Sequence, residues 1–155
     1  MTVRVLFVCL GNICRSPMAE AVFNNLVWEA GLEDQFEIDS AGTSSWHVGQ
    51  KPHRGTNRVL TQHDIPYKGR SRQLDRSDMI SDESYIIAMD DNNMRQIRST
   101  FGDHPRLYRL LDFASQSDVR NVPDPYYNDN FEYVYELVED GARGLLAAIR
   151  AEEGI

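Results

Sequence analysis

Between Cys9 and Ser16 the chain reads CLGNICRS, which sets a thiol, a guanidinium and a hydroxyl around one short turn. A thiolate is a strong nucleophile, and an arginine can hold two oxygens of a phosphoryl group at once. Backbone N–H groups from Leu10, Gly11, Asn12, Ile13, Cys14, Arg15 and Ser16 can point inward if the turn curls into a nest. Gly11 and Asn12 are residue types that accept the left-handed backbone such a curl needs. A helix starting near Ser16 adds its positive end to the same place. One turn can therefore hold a phosphate dianion, favour the thiolate of Cys9 and aim it at phosphorus, while the Ser16 hydroxyl donates to the sulfur and eases its later departure. Taken alone, a cysteine followed six positions later by an arginine is a weak pattern, and a buried core thiol is common. Two features favour chemistry over packing: the Gly-Asn pair inside the turn, and an arginine at a helix N-terminus, which opposes the helix dipole unless an anion sits there.

The elements around the turn must hold it. Val3 to Cys9 is apolar except for Arg4 and reads as a central strand covered on both faces. Ser16 reads as an N-cap, with Pro17 first in the helix and Glu20 near its first turn. Met18, Ala21, Val22, Leu26 and Val27 keep helical spacing, and Gly31 is a stop. Further strands are expected at Phe36 to Ala41, Tyr85 to Met89 and Arg106 to Leu111. Helices are expected at Arg54 to His63, about Asp91 to Thr100, and Phe131 to Arg150. Strands alternating with helices imply an α/β fold, a parallel sheet with helices on both faces. Ligands bind such sheets at the carboxyl ends of the strands, which is where Cys9 lies.

The 155 residues suit a single domain spanning 1–155, with a core large enough to fold alone. A net charge of -8 carries no electrostatic footprint for nucleic acid, and it makes any anion site a local one. Apolar stretches such as Val5 to Leu10 are too short to cross a bilayer, and the N-terminus lacks a secretory pattern. Two cysteines cannot form a disulfide framework or a four-thiolate zinc site. A cytoplasmic monomer is the expectation. Charge runs such as Asp75 to Asp78 and Glu152 to Glu153 read as solvated faces, His63 as filler, and Met79, Met89 and Met94 as core.

The stretch VCLGNICRSPMAEAVF resembles the low-molecular-weight protein tyrosine phosphatases, whose signature is Cys, five residues, Arg, then Ser or Thr. DSAGTSSW at 39–46, SRQL at 71–74, AMDDNN at 88–93 and VPDPYY at 122–127 extend the resemblance over nearly the whole chain. It implies a doubly wound domain with a four-stranded parallel sheet. The implied reaction is hydrolysis of phosphotyrosine in proteins, and of aryl phosphates, through a cysteinyl-phosphate intermediate with no metal or other cofactor. Cys9 would attack, and Arg15 with the loop amides would stabilise the equatorial oxygens.

Asp124 between Pro123 and Pro125 reads by itself as a turn former. The resemblance makes it the general acid that protonates the phenolate, then the base that activates water, its proton held beside the sulfur and phosphate anions. Tyr126 and Tyr127 would form one wall of the cleft and Trp46 the other, a slot deep enough for phosphotyrosine and too deep for phosphoserine. Asn12, Ser16 and Ser40 resemble a network that holds the loop, and Asp90 a residue that orients the arginine. A histidine usual before the SRQL-like segment is absent; Gly69 stands there.

Other readings differ in kind. An arsenate reductase relay needs further cysteines, which do not follow Cys14, though an external thiol would serve. A redox switch would pair Cys9 with Cys14. A phosphotyrosine-binding module would keep the loop and lack the nucleophile or acid; both residue types are present here.

Overall fold

Val3–Cys9 (β1) alternates between two apolar surroundings, and the alternation sets the architecture. Val3, Val5, Phe7 and Cys9 enter one buried cluster, Leu6 and Val8 another. Successive side chains of a strand point to opposite faces, so β1 is covered on both sides, as a central parallel strand must be. The computed structural model describes residues 2–155; Met1, included in the expected 1–155 span, lies outside them. Among the described residues, Phe36–Gly42 (β2), Tyr85–Ala88 (β3) and Leu107–Arg109 (β4) join β1 in a four-stranded parallel sheet ordered β2-β1-β3-β4.

The helices are Arg15–Glu29 (α1), Arg54–Gln62 (α2), Asp91–Phe101 (α3) and Phe131–Glu153 (α4). α1, α2 and α4 supply the larger cluster, and Ile97 of α3 packs into the smaller on the opposite face. Phe23 of α1 meets Phe7 and Phe36 edge-on at 5.5 and 5.7 Å. Each fully buried large side chain contributes roughly 1.5–3 kcal/mol, so these clusters outweigh exposed ion pairs in fixing the sheet. No helix among the described residues is long and apolar enough to cross a membrane. The chain leaves β1 through α1 for β2 on one side and continues to β3 on the other. The order reverses at β1, and a crevice opens at its carboxyl end.

The expected α/β architecture is present, with differences in detail. β4 is shorter than expected, because the chain winds into a 3-10 turn at Leu110–Phe113 that sends Leu110 and Leu111 under α4. α1 begins at Arg15, so Cys14 takes the N-cap position and, among the described residues, no side chain caps it. Ser16 is therefore not the cap: its hydroxyl is turned inward.

The run Asp75 to Asp78 is not a solvated face throughout. Asp78 is 4% exposed and accepts two bonds from Arg72 at 2.9 and 3.0 Å, one from Arg4 at 2.9 Å, and one from the Asp75 backbone at 2.9 Å. Glu153 is likewise drawn in, facing the Tyr85 hydroxyl at 3.1 Å and Arg106 at 3.5 Å. Burial opposes the charge of Asp78, but the bonds from Arg72, the Asp75 backbone and Arg4 outweigh it and hold the carboxyl below its ordinary value. A depressed carboxyl stabilises the fold above the unfolded-state value and loses that stabilisation as pH falls through the folded one. Asp78→Asn is expected to cost about 2 kcal/mol at neutral pH, measured by urea unfolding. The gap to wild type should narrow in acid; a gap independent of pH would contradict this account.

Candidate active site

The turn after β1 is held by two neighbours. Thr43 N–H and Ser44 N–H donate to the carbonyls of Cys9 and Leu10 at 2.9 and 3.0 Å, tying the loop to the chain after β2. Gly42 lies so close that a Cβ there would meet the Leu10 carbonyl oxygen at 2.8 Å. The left-handed bend is made by Asn12, at φ 57°; Gly11 is not at positive φ. At Gly11 the constraint is space: a Cβ there would meet the His47 ring at 2.8 Å and require that side chain to shift.

Cys9 is 2% exposed at the floor of a cleft of about 310 Å³. Its sulfur receives the Asn12 N–H at 3.3 Å and lies 3.1 Å from the Ser16 Oγ. Asn12 Nδ2 donates to Ser16 Oγ at 2.7 Å and to Ser40 Oγ at 3.0 Å. Arg15, 3% exposed, donates from Nη1 to Asp90 Oδ2 at 2.6 Å and to the Val122 carbonyl at 2.9 Å. Its Nη2 lies 3.6 Å from Asp124 Oδ2. Asp90 also caps α3, its Oδ1 accepting from Asn93 N–H at 2.8 Å. One carboxylate thus serves as helix cap and as arginine partner.

Asp124 reaches the site because Val122 is fixed at both polar ends: its N–H donates to the Met89 carbonyl at 2.9 Å and its carbonyl accepts from Arg15. The other oxygen of Asp124 accepts from Tyr126 N–H at 3.0 Å, so this residue is also the turn former its Asp-Pro setting suggests. A buried thiol, a buried arginine and a carboxylate therefore face one crevice. Residues 4–154 match the family described as low molecular weight phosphotyrosine protein phosphatase. The chain belongs to this family.

Low molecular weight protein-tyrosine-phosphatase YfkJ of Bacillus subtilis is 47% identical over 97% of this chain and 98% of its own. Its crystal structure superposes with a TM-score of 0.93 over 98% of this chain and 97% of its own. PtpA of Staphylococcus saprophyticus, of the same family name, is 41% identical over 93% and 92% of the two chains. A solved arginine phosphatase from Drosophila is 30% identical, with a TM-score of 0.85 over 94% of this chain and 97% of its own. The family is one of hydrolases.

In this phosphatase Trp46 and Tyr127 line the cleft while 72% and 79% exposed, and Tyr126 lines it beside them. Tyr126 packs edge-on against Tyr127 at 5.3 Å and His53 at 5.9 Å. His53 stacks on Phe131 at 4.9 Å, which ties the tyrosine loop to the start of α4. Leu10, Gly11, Ile13 and Cys14 also line it. Burial first, then the charges of Cys9 and Asp124, push the Cys14 thiol up to about 12 against the pull of Arg15. Its surroundings therefore disfavour a thiolate at Cys14.

Two sets of residues escaped sequence reasoning. His47 lines the cleft, its ring 6.0 Å from that of Tyr126, and its place beside Trp46 was the available signal. Glu20 and Tyr67 join the loop network from outside the cleft: Glu20 Oε1 accepts from Ser40 Oγ at 2.6 Å and from Tyr67 Oη at 2.9 Å.

Proposed function

We propose that this enzyme hydrolyses phosphotyrosine in proteins, and aryl phosphates, through a phosphocysteine intermediate and without a metal ion. The observation that carries the reading is the placement of Cys9, whose sulfur lies within hydrogen-bond reach of Asn12 N–H and Ser16 Oγ, on a cleft floor that also presents Arg15 and Asp124. In the first step the thiolate forms the S–P bond as the P–O bond to the ring breaks. The leaving phenolate takes the Asp124 proton. In the second step water attacks phosphorus, its proton passes to Asp124, and the S–P bond breaks to return the thiolate and free phosphate. Negative charge on the phosphoryl oxygens is met by the Arg15 fork and the uncapped first turn of α1. These supply the positive charge that a divalent cation supplies elsewhere.

The walls favour an aromatic ester. Trp46, Tyr126 and Tyr127 line the cleft that has Cys9 among its lining residues, and aromatic walls suit a phenyl ring better than a serine methylene. The arginine phosphatase among the structural relatives makes phosphoarginine the informative comparison. The test is release of phosphate from p-nitrophenyl phosphate, a phosphotyrosine peptide and a phosphoarginine peptide in chelator. Chelator-resistant turnover with the phosphotyrosine peptide preferred is expected; preference for phosphoarginine, or loss of activity in chelator, would overturn the reading. In the same assay Asp124→Ala should slow phosphotyrosine about 10²- to 10³-fold, and an ester with a very acidic leaving phenol far less. Equal losses on both would remove Asp124 as the proton donor.

A further inference from the structure

We infer that Glu20 and Tyr67 are positioning residues for this reaction: with the Arg72 N–H they hold the direction of a hydrogen-bond chain that ends on the sulfur of Cys9. The inference rests on the reading of Cys9 as nucleophile.

The direction follows from which groups can only donate or only accept. The Arg72 backbone N–H can only donate, so the Asn12 atom facing it at 3.0 Å is Oδ1. Asn12 Nδ2 is thereby turned to the other side, and its two protons go to Ser16 Oγ and Ser40 Oγ. Ser40 accepts from Asn12, so its single proton goes to Glu20 Oε1 at 2.6 Å. Ser16 also accepts from Asn12, so its single proton is left for the Cys9 sulfur at 3.1 Å. Ser40, Asn12 and Ser16 are at most 3% exposed, leaving little room for water to substitute.

The far end of the chain gives the amide a second anchor beside the Arg72 N–H. Without an acceptor at Glu20, the Ser40 hydroxyl can turn its proton toward Asn12 Nδ2, donor against donor. The Arg72 N–H is then alone in holding the amide, and the Asn12 bond that leaves the Ser16 proton for sulfur is weakened. Tyr67 keeps Glu20 in place by donating to the same oxygen at 2.9 Å. Burial raises the Glu20 carboxyl above its ordinary value, with Asp39 adding to the shift and Ser40, Tyr67 and Arg72 opposing it. Both bonds fall on Oε1, so a proton taken up on Oε2 leaves the chain unchanged.

Gly69 explains how Tyr67 comes to be there. A Cβ at position 69 would run into the hydroxyl oxygen and Cζ of Tyr67. The tyrosine ring fills the space that a side chain at 69 would take. Glycine at 69 thus leaves the room in which the phenol reaches Glu20.

The test separates the acceptor from the charge. Glu20→Met removes the acceptor and should lower kcat about tenfold with KM little changed, and slow iodoacetate alkylation of Cys9 at pH 6 by about the same factor. Glu20→Gln keeps an oxygen at the same position and should recover most of both rates. Tyr67→Phe should show a smaller loss of about threefold, and Gly69→Ala, which pushes the phenol aside, should match it. If Glu20→Met does not fold, the Gln, Tyr67→Phe and Gly69→Ala proteins carry the test through kcat and alkylation. Wild-type rates in Glu20→Met or, failing that, in both Tyr67→Phe and Gly69→Ala would overturn the inference. So would an equal loss in Glu20→Gln and Glu20→Met, or a tenfold loss in Glu20→Gln alone. A Cys9→Ser control distinguishes the two levels: turnover that survives in it removes the nucleophile reading itself, whereas turnover lost in it alongside wild-type rates in the network variants removes only the role of Glu20 and Tyr67.

Discussion

Cys9→Ser is expected to turn over aryl phosphate at least about 10⁴-fold more slowly than wild type while still folding and still binding phosphate. Serine differs from cysteine by one atom, and at 2% exposure the site tolerates the slightly smaller side chain. Its hydroxyl meets the partners that serve the sulfur, Asn12 N–H and Ser16 Oγ, so no polar group is left unpaired. What changes is nucleophilicity: the alcohol keeps its proton at neutral pH, where the loop can no longer supply a thiolate. Arg15 and the first turn of α1 are untouched, so the dissociation constant for inorganic phosphate should stay within a few-fold of that of wild type when read by direct calorimetric titration. Residual turnover above about one per cent in protein free of wild-type enzyme would remove Cys9 from the chemistry.

Arg15→Lys should cost about 10³-fold in kcat/KM although the charge is preserved. The reason is the division of labour within the fork. Nη1 is committed to Asp90 and to the Val122 carbonyl, and Nη2 faces the cleft beside Asp124. A single ammonium cannot hold Asp90 and Val122 and also reach two phosphoryl oxygens. Placed on Asp90 it abandons the substrate; placed on the substrate it leaves Asp90 with its helix-cap bond but without its ion-pair partner. Burial works against the charge of Arg15, and Cys9, Asp90 and Asp124 more than offset it, so a mobile lysine would also be drawn to the protein's own carboxylates. Steady-state rates on p-nitrophenyl phosphate decide the matter. A loss smaller than about tenfold would mean that charge alone suffices and that the fork has no special part.

The central strand and the bend that follows it are legible because their signals are local. An uninterrupted apolar run marks a strand covered on both faces, and β1 is one. Asn12 was picked out as tolerant of a left-handed bend, and it makes one. The cap was misread for an equally physical reason. Ser-Pro before an apolar helix is the usual N-terminal pattern, and nothing nearby shows that the hydroxyl is claimed by a sulfur seven residues earlier. Glu20 looked like an acid favouring a helix start, and its actual partners are 20 and 47 residues away. Asp78 looked like part of a solvated run, and its partner Arg4 lies 74 residues before it. Pairings of this range leave no periodicity in a single chain. Asp124 lies between the two cases: its turn was readable on its own, its place beside Arg15 only through the resemblance.

The bond from Arg15 to the Val122 carbonyl joins residues 107 positions apart, and its consequence is one of timing. During synthesis Cys9 leaves the ribosome early, long before residue 122 exists. The helix that α1 packs against, α4, follows later still. A nascent chain at that stage has the thiol but no anchored guanidinium, and contacts between such distant residues form late in folding. The sulfur is therefore made well ahead of the contact that anchors the arginine, and the reaction proposed for this cleft has to wait for the last third of the chain.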